Sequence, residues 1–275
     1  MLRLLKLEYT KFKNHSLIVI LLLLYAIFFP LIIFFGKEFN DLPDPLRSID
    51  IFYKFPTVWD WQGYIGSWLV YFFLGMISVF FIVNEVRYKT FRQNIISGLT
   101  RKEYFLGKLY AITALSLGVS VYYFVVTMLI GTFHTDSFSL SEALDNSNAT
   151  LRYFLISMGY MSFGLLCGFF IRRSGLAILF YLTYGIAIDP AIKWLCNSYV
   201  VQKFGWLDDG LVRFTPMNAM EDLMPLPAYR FVDLIPDIDF NFEFLLTYQQ
   251  AIIASILWST LFVYVAYRNF ARRDL

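Results

Sequence analysis

The sequence YIGSWLVYFFLGMISVFFIV occupies residues 64–83 and contains neither a charged residue nor a histidine. A helix of about 20 apolar residues is long enough to cross the roughly 30 Å hydrocarbon core of a bilayer. The whole chain of 275 residues has the same character, with 58% hydrophobic and only 16% charged residues. Soluble domains average about 45–50% apolar and about 25% charged residues. The composition therefore indicates an integral membrane protein.

Other stretches of the chain also lack charged residues and histidine. The long ones are Leu17–Phe35, Leu109–Phe133, Tyr153–Ile171 and Phe244–Tyr267. Leu176–Ile188 is too short to span, and we extend it to Cys196 because Asp189 and Lys193 stand one helical turn apart and can pair near the outer surface. The first stretch exceeds a signal-peptide core in length and has no small-residue cleavage site, so we expect it to remain as a helix. We predict one all-α transmembrane domain, residues 1–275, with six spans at approximately 17–35, 64–83, 109–133, 153–171, 176–196 and 244–267.

Basic residues are distributed unevenly along the chain. If both ends are cytoplasmic, the inside segments 1–16, 84–108, 172–175 and 268–275 hold 15 of the 23 Lys and Arg residues and four of the 21 acidic residues. Basic residues near membrane spans favour the cytoplasmic side. We therefore predict cytoplasmic N- and C-termini in a multi-pass protein of the bacterial plasma (inner) membrane. The formal net charge of +2 hides this separation and does not indicate nucleic-acid binding.

The N-terminal segment, residues 1–16, alternates leucines and Phe12 with Lys6, Glu8, Lys11 and Lys13 in a helix-compatible pattern. This pattern is typical of an amphipathic helix that lies among lipid headgroups. The alternative is a positively charged flank that only fixes the orientation of the first span.

The segment NEVRYKTFRQNIISGLTRKEYFLGK, residues 84–108, separates the second and third spans, and we call it the elbow. Glu85 and Lys89 have i,i+4 spacing, and Tyr88, Phe91 and Ile95 share a stripe, so we expect the second helix to continue into the cytoplasm. Gly98 suits the left-handed residue that ends a helix, with Leu99 as the apolar contact after it. Thr100 and Glu103 fit a capping box, which predicts that a new helix begins at Arg101.

The elbow resembles that of the permeases of type-2 ABC transporters, which are six-helix exporter subunits without their own ATPase. The resemblance also includes the amphipathic N-terminus, the spacing of the spans and a Pro-Met-Asn motif at 216–218. The matching elbow positions are Glu85, Thr90, Arg92, Ile95, Gly98, Thr100, Arg101, Gly107 and Lys108.

The resemblance implies that the elbow is a coupling helix seated in a cytoplasmic ABC ATP-binding subunit. It also implies a dimer with a second permease copy or a paralogue, and it assigns ATP and Mg²⁺ to the partner ATPase, with no cofactor in this chain. Basic residues in a short inside loop are also expected for topology alone, but topology requires no capping box. The expected ATPase contacts are Glu85, Arg87, Lys89, Arg92, Asn94, Gly98, Leu99, Thr100, Arg101 and Lys102.

Three other patterns concern packing and the outer surface. Gly164 and Gly168 form a G-x-x-x-G motif that allows close packing of helices, and Trp59 and Trp61 are typical of interfacial anchors. Thr215 reads as an N-cap with Pro216 at the first helical position, which predicts a short outer cap helix. The apolar face of this helix would either contact cargo or pack against the bundle, and it consists of Met217, Met220, Leu223 and Met224.

Several kinds of chemistry lack support in the sequence. The nearest approach to a P-loop, Gly107-Lys108, continues with Leu109 and has Lys102 in place of the first glycine. The predicted span cores hold no ionisable residue of the kind that couples transport to ions. His15 and His134 flank the membrane on opposite sides, and Cys167 and Cys196 suggest neither a disulfide nor a metal site.

These observations favour the permease subunit of an exporter that transports an apolar or amphipathic substrate and is driven by ATP hydrolysis in a separate subunit. We predict no catalytic residue and no metal ligand in this chain. The alternative is a non-transporting membrane scaffold or assembly factor whose elbow docks a different cytoplasmic partner. An adjacent reading frame for an ABC ATPase would distinguish the two.

Overall fold

The computed structural model describes residues 2–13, 15–32, 52–88, 90–96, 98–136, 139–171, 173–196, 212–227 and 245–272. All of the regular secondary structure in these ranges is helical. The main helices are α1 (Leu2–Phe12), α2 (Ser16–Leu31), α3 (Val58–Arg87), α4 (Thr90–Ile96), α5 (Arg101–His134), α6 (Leu140–Leu144), α7 (Ala149–Ile171), α8 (Ser174–Leu195), α9 (Pro216–Glu221) and α10 (Tyr248–Arg272).

Five helical segments are long and apolar enough to cross a membrane: α3, α5, α6 together with α7, α8, and α10. The pair α1 and α2, bent by 94°, passes the same test and brings the count to six if it forms one span. The prediction of an all-helical multi-pass membrane protein is thus confirmed. Residues 33–35 of the predicted first span and residue 244 of the predicted last span lie outside the described residues, and α10 continues past Tyr267 to Arg272.

The fifth predicted span is a single helix of 22 residues, α8, which continues through the polar positions at its end. Asp189 is fully buried, and its carboxylate lies 3.3 Å from the Lys193 ammonium. The expected pairing one helical turn apart is therefore present, and it allows a charged residue to lie inside this helix.

Two helices depart locally from α geometry. The segments Val70–Gly75 of α3 and Tyr184–Ile188 of α8 have π-helical hydrogen bonding. The Tyr71 hydroxyl donates to the carbonyl oxygens of Tyr181 and Leu182 at 2.8 and 3.0 Å, and the Tyr181 hydroxyl donates to the carbonyl of Tyr71 at 2.9 Å. Reciprocal tyrosine–carbonyl bonds thus join α3 to α8.

Helix α7 lies at the centre of the bundle and packs against α3, α5, α8 and α10. Gly164 and Gly168 face α3: a Cβ added at Gly164 would lie 2.5 Å from the Gly75 carbonyl oxygen, and one at Gly168 would lie 2.9 Å from the Ile82 Cβ. Close approach of α7 and α3 therefore requires glycine at both positions.

The two tryptophans before the second predicted span are part of the core. Trp59 is fully buried, its indole N–H donates to the Ala143 carbonyl at 3.0 Å, and Trp61 is 4% exposed. Their prediction as interfacial anchors is wrong, because α3 begins at Val58 and carries both rings into the bundle.

The predicted outer cap helix is α9, which starts at Pro216 after Thr215. The helix ends at Glu221, so Leu223 and Met224 of the predicted face lie in the turn that follows it. The apolar residues of the helix and the turn face the bundle: Met220 lies against Gly159 of α7, and Met224 lies against Gly63 of α3. Met217, Met220, Leu223 and Met224 are each at most 1% exposed. The structure thus places this face in packing, and it is not accessible to cargo.

Candidate functional site

The elbow contains a helix break between α3 and α4 that the sequence does not predict, in addition to the predicted turn at Gly98. Helix α3 ends at Arg87, Tyr88 leaves the helical conformation with ψ 6°, and a separate short helix, α4, begins at Thr90. The prediction of one uninterrupted extension is therefore wrong. Glu85 binds two lysines from other helices, and Lys89, its predicted partner, lies outside the described residues.

The end of α4 follows the predicted glycine stop. Gly98 has φ +100°, in the left-handed region that favours glycine. The N–H of Leu99 donates to the carbonyl of Asn94 at 3.1 Å, which is the long hydrogen bond of a Schellman motif. The chain therefore reverses at Gly98 in a defined turn.

The predicted capping box at the start of α5 is also present. The Thr100 hydroxyl accepts from the Glu103 N–H at 3.2 Å, and the Glu103 carboxylate accepts from the Thr100 N–H at 2.9 Å. Two otherwise unpaired N–H groups are satisfied in this way. The turn between α4 and α5 is thus stabilised on both sides.

The elbow residues expected to contact an ATPase differ in accessibility. Those with exposed side chains or backbone are Arg87, Gly98, Thr100 and Lys102, and those partly buried are Asn94 and Arg101. Glu85 and Leu99 are buried, so neither is available for direct contact. Lys89 and the side chain of Arg92 lie outside the described parts of the chain. An additional apolar residue, Ile96, is 85% exposed at the end of α4.

Glu85 belongs to a buried cluster of four charges where α1, α3 and α5 meet. The Lys108 ammonium pairs with the carboxylates of Glu8 and Glu85, each at 2.5 Å, and Lys108 is fully buried. Lys11 pairs with the same two carboxylates at 2.9 and 3.1 Å. Two cations and two anions therefore neutralise one another, which buried charges require. We call these four residues the inner cluster.

Aromatic rings surround the inner cluster. The Lys108 ammonium lies 4.7 Å from the centre of the Phe12 ring and 5.3 Å from that of Tyr104. Phe12 in turn stacks on Phe81 of α3 at 3.9 Å. The rings exclude water and add cation–π attraction to the ion pairs. Helix α1 is thus attached to the bundle by charge and by packing, which the alternative of a simple basic flank does not predict.

A second buried ionic group lies near the opposite end of α3. Arg152 of α7 is 3.3 Å from the Asp60 carboxylate and donates to the Leu223 carbonyl at 3.0 Å. The amide of Asn146 accepts from Arg152 at 2.8 Å and donates to Asp60 at 2.9 Å. We call Asp60, Asn146 and Arg152 the outer cluster. Since 25 residues of α3 separate Asp60 from Glu85, the two clusters are roughly 37 Å apart.

The surface beside α9 holds two carboxyl groups whose pKa values are raised. Burial raises the pKa of Glu221 to about 7, although the positive charge of Lys193 acts to lower it. Burial also raises the pKa of Asp222 to about 6, although its carboxylate accepts hydrogen bonds from the Leu246 N–H and the Asn218 amide. Both groups therefore exchange protons close to neutral pH.

The long apolar helices, the interior aromatic packing and the pairing of buried charges define a multi-pass membrane protein. The family described as ABC-2 family transporter protein matches residues 4–188 of this chain. The match covers well over half of the chain, and the chain belongs to this family. It is therefore a transporter permease, and members of the family typically work with an ATP-binding subunit. No curated protein matches the chain.

The matched region contains the elbow and the inner cluster, whereas α9 and α10 follow it. Local sequence patterns predict the elbow but not the inner cluster. The available signal was weak: Glu8, Glu85 and Lys108 each lie within or next to an apolar helix, where an isolated charge is unfavourable.

Proposed function

We propose that this chain is the membrane subunit of an ABC exporter and that a separate ATP-binding subunit docks on its elbow. Both termini then lie in the cytoplasm of a bacterial cell, and the chain functions in the inner membrane as a dimer with itself or a paralogue. The predicted span cores contain no charged residue, so we propose that the substrate is apolar or amphipathic.

The observation that carries the proposal is the combination of an exposed tip with a buried joint. At the tip, Ile96 is 85% exposed and Lys102 is exposed, so an apolar and a cationic side chain are both available to a partner. At the joint, Glu85 of α3 and Lys108 of α5 form a buried ion pair.

This arrangement suits the transmission of a movement. The Schellman turn at Gly98 caps the end of α4, and the capping box at Thr100 caps the start of α5, so the turn that joins the two helices is defined on both sides. The ion pair and the aromatic rings around it then connect the ends of α3 and α5. A rigid-body displacement of the elbow by ATP-driven closure of the partner would therefore move both helices together.

The proposal is tested by the variant Ile96→Asp combined with Lys102→Glu in the full-length protein. These exposed changes alter the chemistry of the tip and leave the buried joint intact. We expect the amount of ATP-binding subunit recovered with the permease from native membranes to fall at least tenfold. Mass spectrometry identifies the subunit from the sequence of the recovered protein, which contains nucleotide-binding motifs.

Leu140→Asp is the control for the Ile96→Asp part of the variant, because it places one aspartate at a 61% exposed apolar position of α6, distant along the chain from the elbow. It should leave recovery of the ATP-binding subunit unchanged. Equal recovery with the elbow variant and the control would rule out the elbow as the docking surface. A native preparation that contains no ATP-binding subunit would instead support the scaffold alternative.

A further inference from the structure

An apolar crevice lies in the angle between α1 and α2, next to the inner cluster. Its space is about 240 Å³. The walls come from Leu5 and Phe12 of α1, Leu22 of α2, Phe81 of α3 and Ala114 of α5. Because α1 and α2 meet at 94°, no side chain of either helix fills the angle.

A cationic rim borders this apolar space. Lys13, at the end of α1, lines the crevice and is exposed, and Tyr9 also lines it and is 66% exposed. Lys6 is exposed and lies on the same helical stripe as Tyr9 and Lys13. The single acidic residue among residues 2–13, Glu8, points inward to Lys108 and does not neutralise the rim.

The combination of an apolar cleft with a cationic rim matches the chemistry of one kind of molecule. The hydrocarbon chain of a lipid fits the walls, and an anionic phosphate fits the lysines. The position is also suitable, because the bend from α1 to α2 is where an interfacial helix turns into the membrane. A zwitterionic headgroup carries a compensating cation that the rim repels.

We propose that the crevice binds one acyl chain of an anionic phospholipid, with its phosphate held by Lys13 and Lys6. The site requires only that α1 lies at a membrane surface, and it does not depend on ATP-driven transport. Because α1 also carries two members of the inner cluster, the bound lipid stabilises the helix that completes the joint between α3 and α5.

The test uses the full-length protein purified in a non-ionic detergent and titrated with phosphatidylglycerol or with phosphatidylcholine of identical acyl chains. Native mass spectrometry counts the lipids retained. We expect wild-type protein to retain one phosphatidylglycerol about tenfold more tightly than phosphatidylcholine. Lys13→Gln should weaken phosphatidylglycerol binding about fivefold, the factor typical of one lysine near an anionic surface, and Ala114→Trp should abolish it by filling the crevice.

Each variant has a matched control. Arg272→Gln removes an exposed cation at the end of α10, and Val121→Trp places the same ring at a 62% exposed position of α5, two turns from Ala114. Neither should change lipid retention. Size-exclusion chromatography verifies that each variant is folded, and the Lys13→Gln comparison suffices if Ala114→Trp does not fold. Equal retention of the two lipids by wild-type protein, or equal effects of a variant and its control, would overturn the proposal.

Discussion

The inner and outer clusters both stabilise buried charges, but with different kinds of partner. In the inner cluster, charges neutralise charges: Lys108 and Lys11 each contact Glu8 and Glu85. In the outer cluster, a single ion pair is supplemented by neutral groups, namely the Asn146 amide and the Leu223 carbonyl. When Arg152 is removed, the Asn146 amide still donates to Asp60, whereas removal of Lys108 takes away the one fully buried cation that contacts both inner carboxylates. We infer that the inner joint is the more sensitive to mutation.

The largest effect is expected for Lys108→Met. The substitution leaves the Glu8 and Glu85 carboxylates with Lys11, which is 24% exposed at its side chain, and leaves Glu85 with the hydrogen bond from Tyr104. Removal of one partner of a buried pair costs about 3–5 kcal/mol. The thermal unfolding midpoint in detergent, followed by tryptophan fluorescence, should fall accordingly. The triple variant Glu8→Gln, Glu85→Gln, Lys108→Met should recover much of the loss, and a triple variant as unstable as the single one would contradict this account.

A smaller effect is expected for Arg152→Met in the outer cluster. Asp60 keeps the hydrogen bond from Asn146 at 2.9 Å, so the expected loss is about 1–3 kcal/mol, the range for a buried polar group left partly unpaired. The same thermal measurement gives the comparison. If Arg152→Met proves as destabilising as Lys108→Met, the proposed difference between the clusters is incorrect. Recovery of the ATP-binding subunit per folded protein should not change.

Sequence patterns predicted those features whose determinants are neighbours in the chain. The stop at Gly98 and the capping box at Thr100 and Glu103 depend on residues within a single turn, and both were found. The inner cluster joins residues 23 and 100 positions apart, and nothing in the local sequence relates them. The break after Arg87 is not predicted either, and it lies two residues after Glu85, whose carboxylate pairs with lysines from distant segments.

Trp59 and Trp61 are a second case in which the local sequence does not predict the surroundings of a side chain. Trp59 and Trp61 precede the charge-free stretch 64–83, and that position suggested the membrane interface. Helix α3 begins six residues before this stretch, at Val58. Burial of these rings depends on neighbours such as Ala143 from α6, and hydropathy does not report such contacts.

An effect of pH is expected at Glu221 and Asp222, beside α9. The raised pKa values of Glu221, about 7, and Asp222, about 6, mean that the folded protein holds protons more tightly than the unfolded chain. Stability should therefore be highest below about pH 4, near the ordinary pKa values of the two groups, and should decrease as pH rises through 6 and 7. The charged groups near them are Lys193, Asp189 and Arg213.

The expected decrease between pH 5 and pH 8 is on the order of 1–2 kcal/mol, after allowance for partial exposure of Glu221. Glu221→Gln should reduce the slope of the unfolding midpoint against pH, since it removes the group with the higher pKa. A slope unchanged by this substitution would show that the dependence arises elsewhere in the molecule.

The smallest effect is expected at the elbow turn. Thr100→Ala removes the N-cap and should cost about 1 kcal/mol, whereas Thr100→Asp retains a capping oxygen and should be nearly neutral. Hydrogen exchange of a peptide that covers residues 98–106 measures the local opening. Faster exchange with Ala than with Asp is the expected result, and identical exchange would mean that the tip is held by other contacts.

The two π segments make the position of a deletion as important as its length. A π segment holds one residue more than an α-helix between the same flanking turns, so a single deletion between Val70 and Gly75 would convert it to α geometry and leave the following part of α3 in register. One residue corresponds to about 100° of rotation in an α-helix, so a deletion after Gly75 would turn the remainder of α3 by about that angle. Glu85 would then point away from Lys108, whereas Tyr71, which precedes the deletion, would still face Tyr181.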